Sequence, residues 1–285
     1  MHTKTILITG AAGFLGSKIH KKLPGSFNIV GIDRSKKEDA IQVDLLNKDT
    51  LKNIFTEHNP DIIIHCAAMT DVNLCEIKIT EAHKQNVTAT KNLVEFCKEK
   101  DSKLIFISTD AVFDGKKGNY IEEDEINPIN IYGKTKAEAE KIVQTLDNHL
   151  ILRTSVLYGA GGEKKIINNM MNKLNNNEII EVVDDIRRSP TLIDDIANAI
   201  NLTIEKDVKG TLHLTGDTQD SLFEITKKIA SVLNKDLNLI KPCSITKFEK
   251  DIAPQPRDST LNIGKAKLLG INMKNIEQGI EFLNT

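Results

Sequence analysis

The chain commits itself within its first sixteen residues. Thr5-Ile-Leu-Ile-Thr9 is a short apolar run that passes directly into Gly10, Gly13 and Gly16. An apolar run of that length, bounded by turn residues, predicts a strand buried on both faces of a parallel sheet. Glycine lets the backbone turn sharply after the strand and approach another group closely. The helix that opens at Phe14 then offers N–H groups without intrahelical partners and the positive end of its dipole. That combination suits a pyrophosphate. The spacing is G-x-x-G-x-x-G, not G-x-G-x-x-G, so its weight comes from the strand–turn–helix context. Gly10, Gly13, Phe14, Leu15 and Gly16 are therefore candidate dinucleotide contacts. A second apolar run, 27–32, ends at Asp33, near the offset at which a carboxylate holds an adenosine ribose, and Arg34 follows it.

Further apolar runs at 41–43, 61–65, 103–107 and 150–154 alternate with helical patterns at 14–23, 51–58, 80–100 and 132–146. This alternation predicts an α/β protein with a Rossmann-type, doubly wound parallel sheet and right-handed crossovers. Ligands of such sheets bind beyond the carboxyl ends of the strands. Gly16, Asp33, Ala67, Thr109 and Thr154 all fall at or just past those ends. Beyond Tyr158-Gly159 the pattern loosens, and Gly161-Gly162 reads as a link into a smaller, mixed α/β lobe. There, helices are expected at 164–174, 192–204, 221–233, 263–269 and 276–283, and strands at 178–183, 211–214 and 237–240. The expected division is a dinucleotide-binding domain over 1–160, with 184–204 returning to it, and a substrate lobe from 161–183 and 205–285.

Lys plus Arg number 38 against 40 Asp plus Glu, so nothing calls for a nucleic acid or an anionic membrane surface as partner. No apolar run approaches the roughly 20 residues of a membrane span, and the N-terminus enters the first strand without a signal pattern. The four cysteines form no Cys-x-x-Cys, which leaves no metal or redox motif. A reducing cytoplasm is the expected compartment.

The chemistry-bearing pattern is Tyr132-Gly-Lys-Thr-Lys136 near a helix start. The i, i+4 spacing puts Tyr132 and Lys136 on one face. A tyrosine with a pKa of about 10 is a poor acid or base at neutral pH, and a lysine cation one turn away favours the phenolate. Tyr132 thereby becomes a candidate general acid–base group, with Thr109 at the end of the fifth main strand as its neighbour.

These motifs resemble the extended short-chain dehydrogenases/reductases, and within them the sequence is most similar to the dTDP-4-dehydrorhamnose reductases. The resemblance runs through Gly10-x-x-Gly13-x-x-Gly16, Ala67-Ala68-Met-Thr70-Asp-Val72, Ser108-Thr109-Asp110-Ala-Val-Phe113 and Asn127-Pro128-x-x-x-Tyr132-Gly-Lys-Thr-Lys136. It continues through Arg153-Thr-Ser-Val-Leu-Tyr-Gly159, Ser189-Pro190-Thr191 with Asp194-Asp195-Ile-Ala197, and Pro256-Arg-Asp-Ser259-x-Leu261. It implies that NADH or NADPH is the cofactor and a 4-keto nucleotide-sugar the substrate, with dTDP-4-dehydro-L-rhamnose reduced to dTDP-L-rhamnose.

Tyr132 would then donate a proton to the keto oxygen and Thr109 would hydrogen-bond it. Lys136 would hold the nicotinamide ribose and favour the Tyr132 phenolate. Asp44-Leu45 matches the adenine-contacting segment, Ala67 and Ala68 the loop passed by the cofactor, and Asn86 the family's structural asparagine. Thr70, Val72, Asp110, Val156, Arg187 and Arg257 are the candidate substrate contacts, with Arg188 beside them. Two departures bear on the sugar pocket: Val156 stands where the family often carries Trp, and Gln255-Pro256 replaces a usual Arg-Pro. An epimerase of the same fold and a non-catalytic regulatory subunit resembling the methionine adenosyltransferase β subunit are the alternatives. A dehydratase is disfavoured, because Thr109-Asp110-Ala111 lacks the glutamate base of Thr-Asp-Glu. A homodimer is left open.

Overall fold

The computed structural model describes residues 3–250 and 252–284. In chain order it runs β1 (Thr5–Thr9), α1 (Phe14–Lys22), β2 (Asn28–Asp33), β3 (Ile41–Gln42), α2 (Lys48–His58), β4 (Ile62–His65), α3 (Val72–Ile77), α4 (Ile79–His83), α5 (Ala89–Lys100), β5 (Lys103–Thr109), α6 (Ile131–Val143) and β6 (His149–Thr154). Then follow β7 (Leu157–Tyr158), α7 (Ile166–Asn175), β8 (Ile180–Val183), β9 (Arg187–Arg188), β10 (Thr191–Leu192), α8 (Ile193–Glu205), β11 (Gly210–His213), β12 (Asp220–Ser221), α9 (Leu222–Val232), β13 (Ile240–Cys243), α10 (Gly264–Leu268) and α11 (Ile276–Asn284).

Seven strands form one sheet in the order β11-β6-β5-β4-β1-β2-β3. β1 lies parallel between β2 and β4, with Ile8 opposite Gly31 on one side and Ile64 on the other. Every residue of β1 and β4 is buried, which explains their unbroken apolar runs: helices cover both faces. The core beneath α2 and α5 includes Leu7, Ile63, Leu104 and Ile151, with Phe55 and Phe96 stacked at 5.0 Å. The strand order turns back at β1 and β4, and the glycine turn leaves β1 at that point.

The chain separates into two compact units. The first comprises the chain up to Thr109, Ile131–Leu152 and Ile200–Leu212; the second comprises Asp110–Asn130, Arg153–Ala199 and the chain from His213 onward. This division differs from the expected one. Residues 110–130 join the second unit because Tyr120 and Asn119 bond to Thr260, and Asp258 to Gly115. The stretch expected to return to the first domain, 184–204, contributes mainly its last helical turns. The second unit has its own core, in which Ile167, Met170, Ile225, Ile229 and Ile280 enclose Tyr158.

Two local expectations are corrected, and a helix for which the sequence raised no expectation appears at 72–77. Residues 80–100 are not one regular helix: between α4 and α5 the turn Lys84–Thr88 is π-helical. The stretch 72–77 is helical because Asp71 caps it, accepting from Leu74 N at 2.9 Å. The strand expected at 237–240 begins where it was expected to end. Leu237–Leu239 is a 3-10 turn capped by Asp236, and Ile240–Cys243 pairs with β8. Among the described residues no helix is long and apolar enough to cross a membrane.

The glycine turn is sterically obligatory. Gly10 has φ +66°, and a Cβ there would lie 2.8 Å from Ala67 N; a Cβ on Gly16 would lie 2.1 Å from the Gly10 carbonyl oxygen. Both obstacles are backbone, so neither can swing aside. Gly16→Ala should therefore cost at least about 1–3 kcal/mol and abolish dinucleotide binding. Gly25→Ala, with nothing within 4 Å of the new carbon, should stay within about 0.5 kcal/mol of wild type. Urea unfolding of the two variants measures the contrast.

Candidate active site

In the first unit, α1 starts at the glycine turn with Gly13 as N-cap. Gly13 has no side chain to cap with, and no acidic residue lies in the first turn. The helix end thus retains its attraction for an anion. Asp33 turns its carboxylate back to this turn: Oδ2 accepts from Ala12 N at 3.2 Å, while Oδ1 accepts from Ser35 N and Ser35 Oγ at 2.9 and 2.7 Å. Arg34 is exposed, 3.9 Å from Glu81. Gly10, Gly13, Asp33, Arg34, Ala67 and Ala68 line one cavity of about 580 Å³. Asp44 and Leu45 follow β3, where Asp44 Oδ1 accepts from Leu46 N and the Leu45 carbonyl accepts from Asn92 Nδ2. Backbone clearance at the turn and the inward carboxylate both fit a dinucleotide.

A directional chain of hydrogen bonds runs beneath this cavity. Thr90 Oγ1 donates to the Asn86 carbonyl at 2.7 Å, so it can only accept from His65 Nε2 at 3.0 Å. His65 Nδ1 is then the acceptor for Thr9 Oγ1 at 2.7 Å, and Thr9 Oγ1 in turn accepts from Ala67 N at 3.2 Å. Every hydroxyl both gives and takes, which sets a single tautomer. Burial lowers the His65 pKa to about 3, with the Lys136 charge adding to the effect, so His65 is neutral. Asn86 sits on the π-helical turn. Its Oδ1 accepts from Met69 N, and its Nδ2 donates to Met69 O and to Thr135 Oγ1. Its carboxamide thus holds the loop after β4 to the helix that carries Tyr132, from a π-helical turn of the kind often found at functional sites. Thr70 is exposed on that loop and Val72 opens α3.

The start of α6 is capped from a distance: Ile131 N donates to Glu76 Oε1 at 2.7 Å. Thr135 Oγ1 donates to the Tyr132 carbonyl at 2.8 Å. Tyr132 is half-buried, and Lys136 one turn on is only 2 % exposed. Lys136 Nζ donates to the Ile107 carbonyl at 2.7 Å and lies 3.8 Å from the centre of the Phe106 ring. Burial lowers its pKa to about 7, opposed by Glu140. Thr109 ends β5, buried. Sequence reading missed His65 and Glu140, although a histidine closing an apolar strand and a glutamate two turns beyond Tyr132 were visible signals.

In the second unit, a cavity of about 490 Å³ is lined by Val156, Met170, Ile186, Arg188, Phe248 and Gln255, among others. Val156 has φ +39°, a strained conformation for a β-branched residue of the kind that clusters at binding sites. The arginines divide. Arg187 meets Asp220 and Asp258 at 3.7 and 3.4 Å, and Arg257 meets Asp185 and Glu249 at 2.8 and 2.5 Å. Both guanidinium groups are thus engaged by carboxylates of their own unit, and neither lines this cavity. Arg188 does, buried and donating to the Arg187 and Pro256 carbonyls at 2.8 Å each. The Asp110 carboxylate accepts from Ser155 and Ser259 hydroxyls at 2.8 and 2.5 Å, so it ties segments of this unit together.

In the first unit, a glycine turn leading from β1 into α1 on a seven-stranded sheet is the fold of the extended short-chain dehydrogenases/reductases. Comparison with known proteins narrows the class. The chain belongs to the family described as the RmlD substrate binding domain, whose model matches residues 4–283. It is 32% identical over 275 residues to the dTDP-4-dehydrorhamnose reductase of Aggregatibacter actinomycetemcomitans, covering 91% of each chain. It is 34% identical over 284 residues to methionine adenosyltransferase 2 subunit beta of Bos taurus, covering 95% of this chain and 84% of that one. Its fold matches the crystal structure of dTDP-4-dehydrorhamnose reductase from Bacillus anthracis in complex with NADP with a TM-score of 0.90, at 32% identity and 99% coverage of both chains.

The hydrogen-bond chain through His65 has a measurable signature. A histidine with a pKa near 6.5 unfolded and about 3 folded contributes stability above pH 6.5 that is lost as pH falls towards 3, because only the unfolded chain takes up the proton. His213, buried and also lowered to about 3, acts in the same direction. His65→Leu should reduce the slope of stability against pH in that window by about 1.4 kcal/mol per unit. It should also cost roughly 1–3 kcal/mol at pH 7 by leaving the buried Thr9 hydroxyl proton without its acceptor. Urea unfolding across pH 4–7 reads both effects.

Proposed function

We propose that this protein reduces a 4-keto nucleotide-sugar with NADH or NADPH, with dTDP-4-dehydro-L-rhamnose giving dTDP-L-rhamnose. The observation that carries the proposal is the pairing on α6. Tyr132 is half-buried, and one turn on Lys136 is buried against β5, in the same unit as the glycine turn. Bound nicotinamide supplies the hydride for the C4 carbon. Tyr132 gives its phenolic proton to the keto oxygen, and the Lys136 ammonium lowers the cost of the phenolate that remains. Thr109 donates a hydrogen bond to the same oxygen, and Lys136 holds the nicotinamide ribose. Asp33 takes the adenosine ribose hydroxyls, while Ala67 and Ala68 let the cofactor pass close to the backbone. Taken by itself, the second unit has an apolar cavity with Arg188 at its wall, a guanidinium of the kind that binds a diphosphate.

The similarity to the Aggregatibacter and Bacillus reductases supports this reading, because both match nearly end to end. A second reading, a regulatory subunit, draws support from the 34% identity to the bovine adenosyltransferase subunit. Oxidation of NADPH with dTDP-4-dehydrorhamnose, followed at 340 nm, separates them: the first reading requires turnover, the second requires none despite intact NADPH binding. Tyr132→Phe should lower turnover by about 10²–10⁴-fold and leave cofactor affinity unchanged; near wild-type turnover would remove Tyr132 from the reaction.

Cofactor choice follows from the inward Asp33. A carboxylate bonded to the glycine turn repels a ribose 2′-phosphate, so kcat/KM for NADH should at least equal that for NADPH. Asp33→Ala should move the ratio towards NADPH by leaving Arg34 unopposed. A wild type that strongly prefers NADPH, with the variant unchanged, would contradict this.

A further inference from the structure

Tyr132, Lys136 and Thr109 account for the chemistry, yet the same helix face buries a further ionisable group. Glu140 follows Lys136 by one turn and Tyr132 by two, and it is fully buried. Side chains at i and i+4 have Cβ atoms about 5–6 Å apart. Glu140 Oε1 accepts from Ser108 Oγ at 2.5 Å, and Ser108 directly precedes Thr109. Lys136 binds the carbonyl of Ile107, one residue earlier on the same strand. Two ionisable side chains from the interior of α6 are thus fastened to consecutive residues of β5.

An ammonium group in so dry a place tends to discharge. Several titratable groups stand around it. From its own helix these are Tyr132 and Glu140. From β4 and its exit they are His65 and Cys66, while β5 offers the Ile107 carbonyl and the Phe106 ring. His65 is neutral, as the hydrogen-bond chain requires. Cys66 has its thiol pushed up to about 12 by burial, so at neutral pH it brings no charge. Glu140, one helical turn from Lys136, is the carboxyl group of this set, and its interaction with Lys136 raises the lysine pKa against burial.

We propose that Glu140 is a positioning residue whose buried carboxylate keeps Lys136 protonated and, through Ser108, ties that charge to the end of β5 where Thr109 stands. Its consequence for turnover rests on the reductase reading; the pairing itself does not. An anion beside a lysine favours the charged form, so removing it lowers the lysine pKa. The protonated lysine is the working form, so the alkaline limb of activity should move to lower pH in step.

The test is the titration of Lys136 in the ligand-free protein. Lysine is labelled with ¹³C and ¹⁵N, the side-chain resonance is followed through pH by NMR, and the signal is assigned by its absence in Lys136→Met. The wild type should titrate near 7, and Glu140→Gln should titrate lower by about one unit or more. Glu140→Asp, which keeps the charge, should stay within a few tenths of wild type. An unmoved midpoint in Glu140→Gln would overturn the proposal. Were that variant unable to fold, the double variant Lys136→Met/Glu140→Gln decides. Recovery of folding supports a charge pair, since removing both partners spares the cost of one stranded buried charge; failure to recover overturns it. With dTDP-4-dehydrorhamnose and NADPH, the alkaline midpoint of kcat/KM should shift by the same amount. A shifted NMR midpoint without turnover in wild type would reject the reductase and keep the pair. Turnover with an unshifted midpoint would do the reverse.

Discussion

An ammonium group shut away from water must be met by dipoles and charge on every side, and much of the first unit is arranged around that requirement at Lys136. The Ile107 carbonyl and the Phe106 ring receive it from β5, which holds α6 at a set height against the strand. That height places Tyr132 one turn nearer the helix start. Glu76 caps the start from α3, and Asn86 binds the second helical turn through Thr135. Asn86 in turn holds Met69 on both its N–H and its C=O, and the Thr90–His65–Thr9 relay carries the linkage to the Ala67 amide. A residue of the glycine-turn cavity and helix α6 are thus parts of one hydrogen-bonded framework.

The local part of this arrangement was legible in the sequence. Thr5–Thr9 is apolar without interruption because β1 is covered on both faces. Gly10 and Gly13 precede α1, and Gly16 lies in its first turn, where a Cβ would strike the Gly10 carbonyl. The i, i+4 spacing of Tyr132 and Lys136 placed both on one face of α6. The long-range part was not legible. Glu140 finds Ser108 from 32 residues away, and His65 finds Thr90 from 25, distances over which no periodicity informs. The π-helical turn answers to Met69 and Thr135, not to its own residues. The helix at 72–77 shows little apolar periodicity, since Leu74 and Ile77 face solvent, although its Asp71 cap was in plain view.

Charge was the least legible property in the second unit. Arg187, Arg188 and Arg257 look alike in sequence as candidate diphosphate ligands. The fold gives Arg187 and Arg257 carboxylate partners at 3.7 Å or less and places Arg188, 3.9 Å from the Asp110 carboxylate, at the wall of an apolar cavity. The loop that carries Gln255-Pro256 is also the one whose Pro256 carbonyl receives Arg188. A departure from the family's Arg-Pro pattern therefore sits where an arginine is anchored by backbone. The strained backbone of Val156 at the same cavity could not be read from a β-branched residue type that ordinarily avoids such angles.

The central claim is that the pair on α6 serves hydride transfer to a sugar carbonyl. The most direct measurement follows the hydride itself. NADPH deuterated at the nicotinamide C4, on each face in turn, is incubated with the protein and dTDP-4-dehydrorhamnose, and the product is examined by ²H NMR and mass spectrometry. The account predicts one deuterium at sugar C4 from one face of the cofactor and none from the other. Sugar recovered without deuterium from either face, with the cofactor bound but unoxidised, would contradict it.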